Sequence, residues 1–328
     1  MDRDNHFTPL TGCSHPHLQT LLPRFLRRQP LFTPRNQRLV TPDGDFIDLA
    51  WTTNNAEKHA PLFVLFHGLE GCFHSPYANG LLHSAAQQGW LGVMMHFRGC
   101  SGEPNRYAAS YHSGHTHDAR YVLQWLQRHH PQRQIIAVGI SLGGNMLANY
   151  LAQYRQDTKI CAAQIVSAPL QLASCAKRIQ QGFSKIYQAY LLNSLKKRAA
   201  KKQQAFPAQF VLDSQQILNI SNLYQFDDVV TAPLNGFKDA QDYYAKCSAL
   251  PRLSDITIPC RFIHAIDDPF MDKSVIPARE TLPDNIHYDL LDRGGHVGFV
   301  GGTLRAPHFW LEQTVPSWFQ AALCEKLR

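Results

Sequence analysis

The sequence predicts an α/β fold: a mostly parallel central sheet flanked by helices, with a helical lid inserted between two strands. Three observations carry this expectation. Apolar runs of six or seven residues alternate with helically spaced stretches between residues 36 and 169. The same alternation resumes over residues 251–328. Between them, residues 170–250 hold helical stretches and no convincing strand, and about 80 residues is too long for an ordinary loop.

The elements follow in order. Residues 1–35 read as an irregular N-terminal extension, because Pro9, Pro16, Pro23, Pro30 and Pro34 are spaced too closely for long helices. Asn36–Thr41 and Asp45–Trp51 flank Pro42-Asp43-Gly44, a strong turn signal, and read as a hairpin. Strands are expected at 61–66, 91–97, 135–140 and 161–166, all largely apolar, as suits parallel strands buried on both faces. Helices are expected at 76–88, 115–129 and 142–154. Beyond the insertion come a strand at 260–265, a helix near 273–280, a strand at 287–291 and a final amphipathic helix near 307–325.

Composition bounds the function. With 328 residues and 44% hydrophobic content, the chain can bury a sizeable core. No apolar run reaches 18 residues, so no transmembrane helix is expected. Met1–His6 shows no basic start followed by an apolar stretch, which points to a cytoplasmic location. Eight scattered cysteines form no Cys-x-x-Cys pair and read as buried thiols. The net charge of +7 is partly clustered and does not by itself imply nucleic acid.

Gly139-Ile140-Ser141-Leu142-Gly143 follows an apolar strand and opens a helical stretch, the context of a nucleophile elbow. There the serine sits on a sharp turn, and Gly139 and Gly143 leave room for the crossing strand and helix. A serine hydroxyl needs a base, and the base needs an orienting acid. Ile266-Asp267-Asp268-Pro269 follows a buried strand, and Arg293-Gly294-Gly295-His296 follows the last one, in the chain order Ser, acid, His. Asp268 is the expected acid and His296 the expected base; Asp267 reads as a carboxylate that caps the next helix, with the triad acid as its alternative role. The oxyanion donors expected are the backbone N–H groups of Leu142 and Leu69, while His67 reads as a structural loop histidine.

The chain resembles the α/β-hydrolase superfamily and, more narrowly, its YheT-like hydrolases. Carrying the narrower resemblance are Pro16-His17-Leu18-Gln19-Thr20, His67-Gly68-Leu69-Glu70-Gly71, Phe97-Arg98-Gly99-Cys100-Ser101-Gly102, the segment 139–147, Ala265–Phe270 and Gly294–Phe299. The resemblance implies a charge relay of Ser141, Asp268 and His296, and hydrolysis of short- to medium-chain acyl or lipid esters. It favours the second aspartate, since Ala265 stands where related strands carry a small residue three before the acid.

Other constellations carry less. His112, His115, His117 and Asp118 look like metal ligands, but lead into a helix that points the histidines different ways, so no metal and no organic cofactor is expected. Arg98–Gly102 lacks the end of a phosphate-binding loop and reads as an active-site rim. Residues 176–204 carry eight Lys and Arg, no acid, and apolar residues at helical spacing. They read as a lid helix whose lysines face water, with transient contact to an anionic membrane surface as the compatible alternative. The function expected is ester hydrolysis through an acyl-enzyme. The alternatives are acyl transfer to alcohols by the same triad, or a non-catalytic membrane- or ligand-binding module.

Overall fold

The computed structural model describes residues 7–325; the Met1–His6 start lies outside them. The hairpin forms as β1 (Arg35–Val40) and β2 (Phe46–Trp51), paired antiparallel. It is followed by β3 (Leu62–Phe66), α2 (Pro76–Gln87), β4 (Leu91–Met95), α3 (Thr116–His129), β5 (Ile135–Ile140), α4 (Leu142–Tyr154) and β6 (Ile160–Val166). After the insertion come β7 (Cys260–Ala265), β8 (Ile286–Leu291), β9 (Val300–Gly302), β10 (Pro307–Phe309) and α11 (Trp310–Glu325). The eight-stranded sheet runs β1-β2-β4-β3-β5-β6-β7-β8, parallel from β4 to β8. Every residue of β3, β5 and β7 is buried; β3 and β5 accordingly read as unbroken apolar runs, while β7 buries Arg261 and His264 among its apolar residues. One core layer packs α3 and α4 on one face of the sheet, and the other packs α2 and α11 on the opposite face.

Three readings are corrected. The extension contains a helix, α1 (Pro16–Leu26). Pro16 stands at its first turn, where the missing N–H costs nothing, and Pro23 falls in its last turn. The expected helix near 273–280 is only two short 3-10 turns, because Pro277 forces Ile276 into an extended conformation. Pro307–Phe309 is not the start of the last helix but an edge strand on β9.

Between β6 and β7 lie α5 (Leu172–Arg178), α6 (Ser184–Ala205), α7 (Ser214–Leu218), α8 (Leu223–Phe226), α9 (Ala232–Leu234) and α10 (Ala240–Cys247). The basic stretch 176–204 is therefore two helices, broken where Gly182 takes φ +54°. Nor do its cations all face water. Lys202 is buried, its ammonium bonded to the carbonyls of Tyr107 (2.8 Å) and Ala109 (3.1 Å) and to Ser110 Oγ (2.9 Å). Among the described residues no helix is long and apolar enough to cross a membrane.

α1 is tied to the far end of the chain. Buried Gln19 accepts the Val300 N–H (2.9 Å) and donates to the carbonyls of Val300 (3.0 Å) and Cys13 (2.9 Å). Gln19→Ala strands these backbone groups, each worth about 1–3 kcal/mol when left unsatisfied. Urea unfolding is expected to show a loss of about 2–4 kcal/mol, far more than an exposed Gln would give.

Candidate active site

Four loops at the carboxyl ends of β3, β5, β7 and β8 converge, where open α/β sheets gather ligands. Ser141 lies between β5 and α4 with φ +52° and ψ −120°, a strained backbone for a residue with a side chain. Its own N–H is held by the Val166 carbonyl at 2.8 Å. The strain is maintained by tight packing. A Cβ on Gly143 would sit 2.5 Å from the Phe66 carbonyl oxygen and against that of His67, while one on Gly139 would sit 2.6 Å from the Gly143 oxygen. These are backbone atoms and cannot swing away. Gly143→Ala is expected to cost at least about 1–3 kcal/mol, the usual overpacking range, and to lower activity as the turn shifts; thermal unfolding and initial rates check both.

His296 Nε2 is 3.0 Å from Ser141 Oγ, and its Nδ1 is 2.8 Å from Asp268 Oδ2. Asp268 is buried, and its Oδ1 accepts the Phe270 N–H at 2.8 Å. The Phe270 ring stacks on the imidazole, 4.0 Å between centroids and 6° between planes. The structure thus brings Ser141, His296 and Asp268 into one hydrogen-bonded row. Asp267 does not cap a helix: its Oδ1 accepts the Gly295 N–H at 2.9 Å, bracing the residue before His296. Burial raises its carboxyl above the usual range.

Leu69 and Leu142 both line the cavity beside Ser141. Among the described residues neither backbone N–H has an acceptor. His67 shapes the Leu69 turn from beneath. Its Nε2 accepts the Phe97 N–H (3.0 Å) and its Nδ1 lies 2.7 Å from the Gly68 carbonyl, so Nδ1 carries the proton. Burial pushes its pKa down to about 3, keeping it neutral and structural.

Sequence reasoning missed the contribution of α1. Thr20 Oγ1 accepts the His296 N–H at 2.9 Å, and a Cβ on Gly295 would lie 2.5 Å from the Pro16 carbonyl oxygen. The helix therefore clamps the histidine loop; the only signal was the Pro16–Thr20 stretch in the family resemblance. The rim reading of Arg98–Gly102 is corrected too. Arg98 pairs with Asp118 (2.7 Å), Asp43 (2.7 Å) and Asp45 (3.1 Å), fastening α3 to the β1–β2 turn. Asp118 is thereby committed to Arg98. Among the described residues no group of three or more His, Cys, Asp or Glu could hold a metal ion.

Ser141 and His296 open into a cavity of about 750 Å³, mainly apolar, whose far walls belong to the insertion: Leu172, Ile179, Tyr187, Leu191, Leu195 and Phe226. One acid on that wall, Asp227, meets only the hydroxyls of Tyr244 and Thr231, each at 2.7 Å, and burial lifts it to about 6.

Comparison with known proteins adds relatives to this geometry. A family model described as alpha/beta hydrolase fold matches residues 61–303. The chain is 53% identical to YheT of Escherichia coli (strain K12), named as a candidate esterase, over 97% of this chain and 94% of that one. It is 26% identical to phospholipase ABHD3 of Bos taurus, over 97% of this chain and 79% of the relative. Among solved structures, an esterase of Pyrococcus furiosus, Pf2001, superposes with a TM-score of 0.54 at 14% identity, covering 98% and 96% of the two chains; this likeness concerns the fold.

Proposed function

The chain belongs to the alpha/beta hydrolase fold family, on its YheT-like branch, and from that premise we propose that it is a serine hydrolase of carboxylic esters working through an acyl-enzyme. The observation that carries the reading is the row Asp268–His296–Ser141, with separations of 2.8 and 3.0 Å. Ser141 Oγ bonds to the acyl carbon while its proton passes to His296 Nε2. The carbonyl oxygen, now negative, takes the N–H groups of Leu69 and Leu142, each donor worth about 2.7–4 kcal/mol in the transition state. Collapse breaks the ester C–O bond, and the leaving alkoxide takes the proton from His296. Water then attacks the acyl-enzyme with its proton going to Nε2, and the acid departs as Oγ is reprotonated. Asp268 holds the imidazole so that Nε2 faces the serine, and stabilises the imidazolium. The steps require no metal or organic cofactor.

The apolar cavity suits an acyl chain, so short- to medium-chain or lipid esters are the expected substrates. The test is a panel of p-nitrophenyl esters graded by acyl length, run with and without added alcohol. Free acid should be the product throughout. Transfer of the acyl group to the alcohol as the main outcome would favour an acyltransferase instead, and no turnover of any ester by folded protein would favour a binding module.

The source of a lipid substrate is suggested by the cavity mouth. Phe25 of α1 is 61% exposed, and Ile186 and Tyr190 of α6, which line the cavity, are 57% and 59% exposed. Exposed Arg24, Arg28 and Lys185 surround them, and neither Pro16–Leu26 nor residues 176–204 contain an acid. An apolar rim set in positive charge fits an anionic lipid surface. Co-sedimentation with phosphatidylglycerol vesicles should exceed that with zwitterionic vesicles and fall as salt rises.

A further inference from the structure

α6 does more than roof the cavity. Ser194, Arg198 and Lys202 recur at intervals of four, which places them on one face of the helix. That face grips the protein beneath it. Arg198 donates to the Gly99 carbonyl and to Glu70 Oε1 (2.5 Å), Ser194 Oγ donates to Glu70 Oε2 (2.6 Å), and Lys202 closes on the 105–110 loop. Glu70 is the residue directly after Leu69. Its backbone takes φ +57°, and its N–H donates to Tyr111 Oη at 2.8 Å, while the same hydroxyl donates back to Oε1 at 2.9 Å. A non-glycine residue in this region costs about 1–2 kcal/mol and persists only where its surroundings impose it. Here the surroundings are Tyr111 from below and α6 from above.

The plain alternative is an ion pair that adds stability. Arg198 keeps a third of its side chain exposed, and such pairs contribute little on their own. Geometry matters more. Glu70's carboxylate is held on both oxygens by a helix of the insertion, and its backbone borders the amide assigned to the oxyanion.

We propose that α6 positions the oxyanion loop: Ser194 and Arg198, acting through Glu70, hold the Leu69 N–H at the angle the transition state needs. The insertion must then be seated on the core for turnover, which couples lid closure to chemistry. This rests on the serine-hydrolase reading above and names positioning residues, not catalytic ones.

The test compares Glu70→Gln, Ser194→Ala and the double variant Glu70→Gln/Arg198→Met, the last avoiding an unpaired buried carboxylate. Each is checked for a wild-type circular dichroism spectrum. For ester hydrolysis, kcat should fall about 10- to 100-fold with KM changed less than about threefold, short of the 10²–10³ that loss of a whole donor costs. Inhibition by a trifluoromethyl ketone, whose serine adduct carries the oxyanion, should weaken by the same factor as kcat/KM. Inhibition by an n-alkane, which has no oxygen to meet the Leu69 amide and can occupy only the apolar cavity, should not change. Arg198→Lys, keeping the charge but losing the fork, should retain part of the kcat that Glu70→Gln/Arg198→Met loses. Folded variants with wild-type kcat, or with a rise in KM alone, overturn the proposal and leave α6 as a cavity wall. Failure of the underlying reading looks different: wild type itself would then resist the trifluoromethyl ketone.

Discussion

Ser141→Ala is expected to lower kcat for ester hydrolysis by about 10⁶-fold, and His296→Ala by a similar factor, because each alone disables the same proton-coupled attack. The double variant should be no worse than either single one. This non-additivity is the signature of two groups acting as a unit, and it is what their 3.0 Å contact demands. Residual hydrolysis above the uncatalysed rate should survive, since the Leu69 and Leu142 amides and the cavity are untouched. The alanine variant should fold with a wild-type melting temperature. It removes one hydroxyl, and the turn is imposed by Gly139, Gly143 and the Val166 carbonyl, not by the serine side chain.

The second large effect separates two adjacent carboxylates. Asp268→Asn should reduce kcat about 10⁴-fold, because an amide beside Nδ1 favours the tautomer in which Nε2 cannot accept the serine proton. Asp267→Asn should cost far less. Asp267 meets the Gly295 N–H, and an Asn side-chain oxygen can still accept that bond. The pair therefore divides its work, one carboxylate orienting the ring and its neighbour holding the chain that carries the ring. Equal losses at the two positions would contradict that division. Initial rates with one chromogenic ester, measured alongside urea unfolding for both variants, decide it.

Much of this architecture was legible because its strands are buried on both faces. β3 and β5 leave continuous apolar runs whose ends can be read to within a residue or two. The positions of Ser141, Asp267, Asp268 and His296 followed, since each stands in a loop just after a strand of the sheet, β5, β7 or β8. What stayed hidden has no local signature. Gln19 and Thr20 look like ordinary helix residues; their partners, Val300 and His296, lie more than 270 positions away. Arg198 and Lys202 belong to a basic run that reads as solvated, and only the placement of α6 over Glu70 and the 105–110 loop turns them inward. Asp267 illustrates the limit of motif reading: the doublet was visible, but its second task depends on where the loop of Gly295 lands. Pro23, counted against a helix in the extension, is tolerated by the last turn of α1, and Pro277, left out of account, stops the helix expected near 273–280.

The central claim is that Ser141 is an activated nucleophile. Intact-mass measurement after incubation with a fluorophosphonate tests it most directly, on wild type and on Ser141→Ala. In that reaction the serine oxygen bonds to phosphorus and fluoride leaves with the proton, so the mass rises by one phosphonyl group. The account predicts a single adduct on wild type, a much slower one on Asp268→Asn, and none on Ser141→Ala. An adduct that persists on Ser141→Ala, or no adduct on folded wild type, would contradict it.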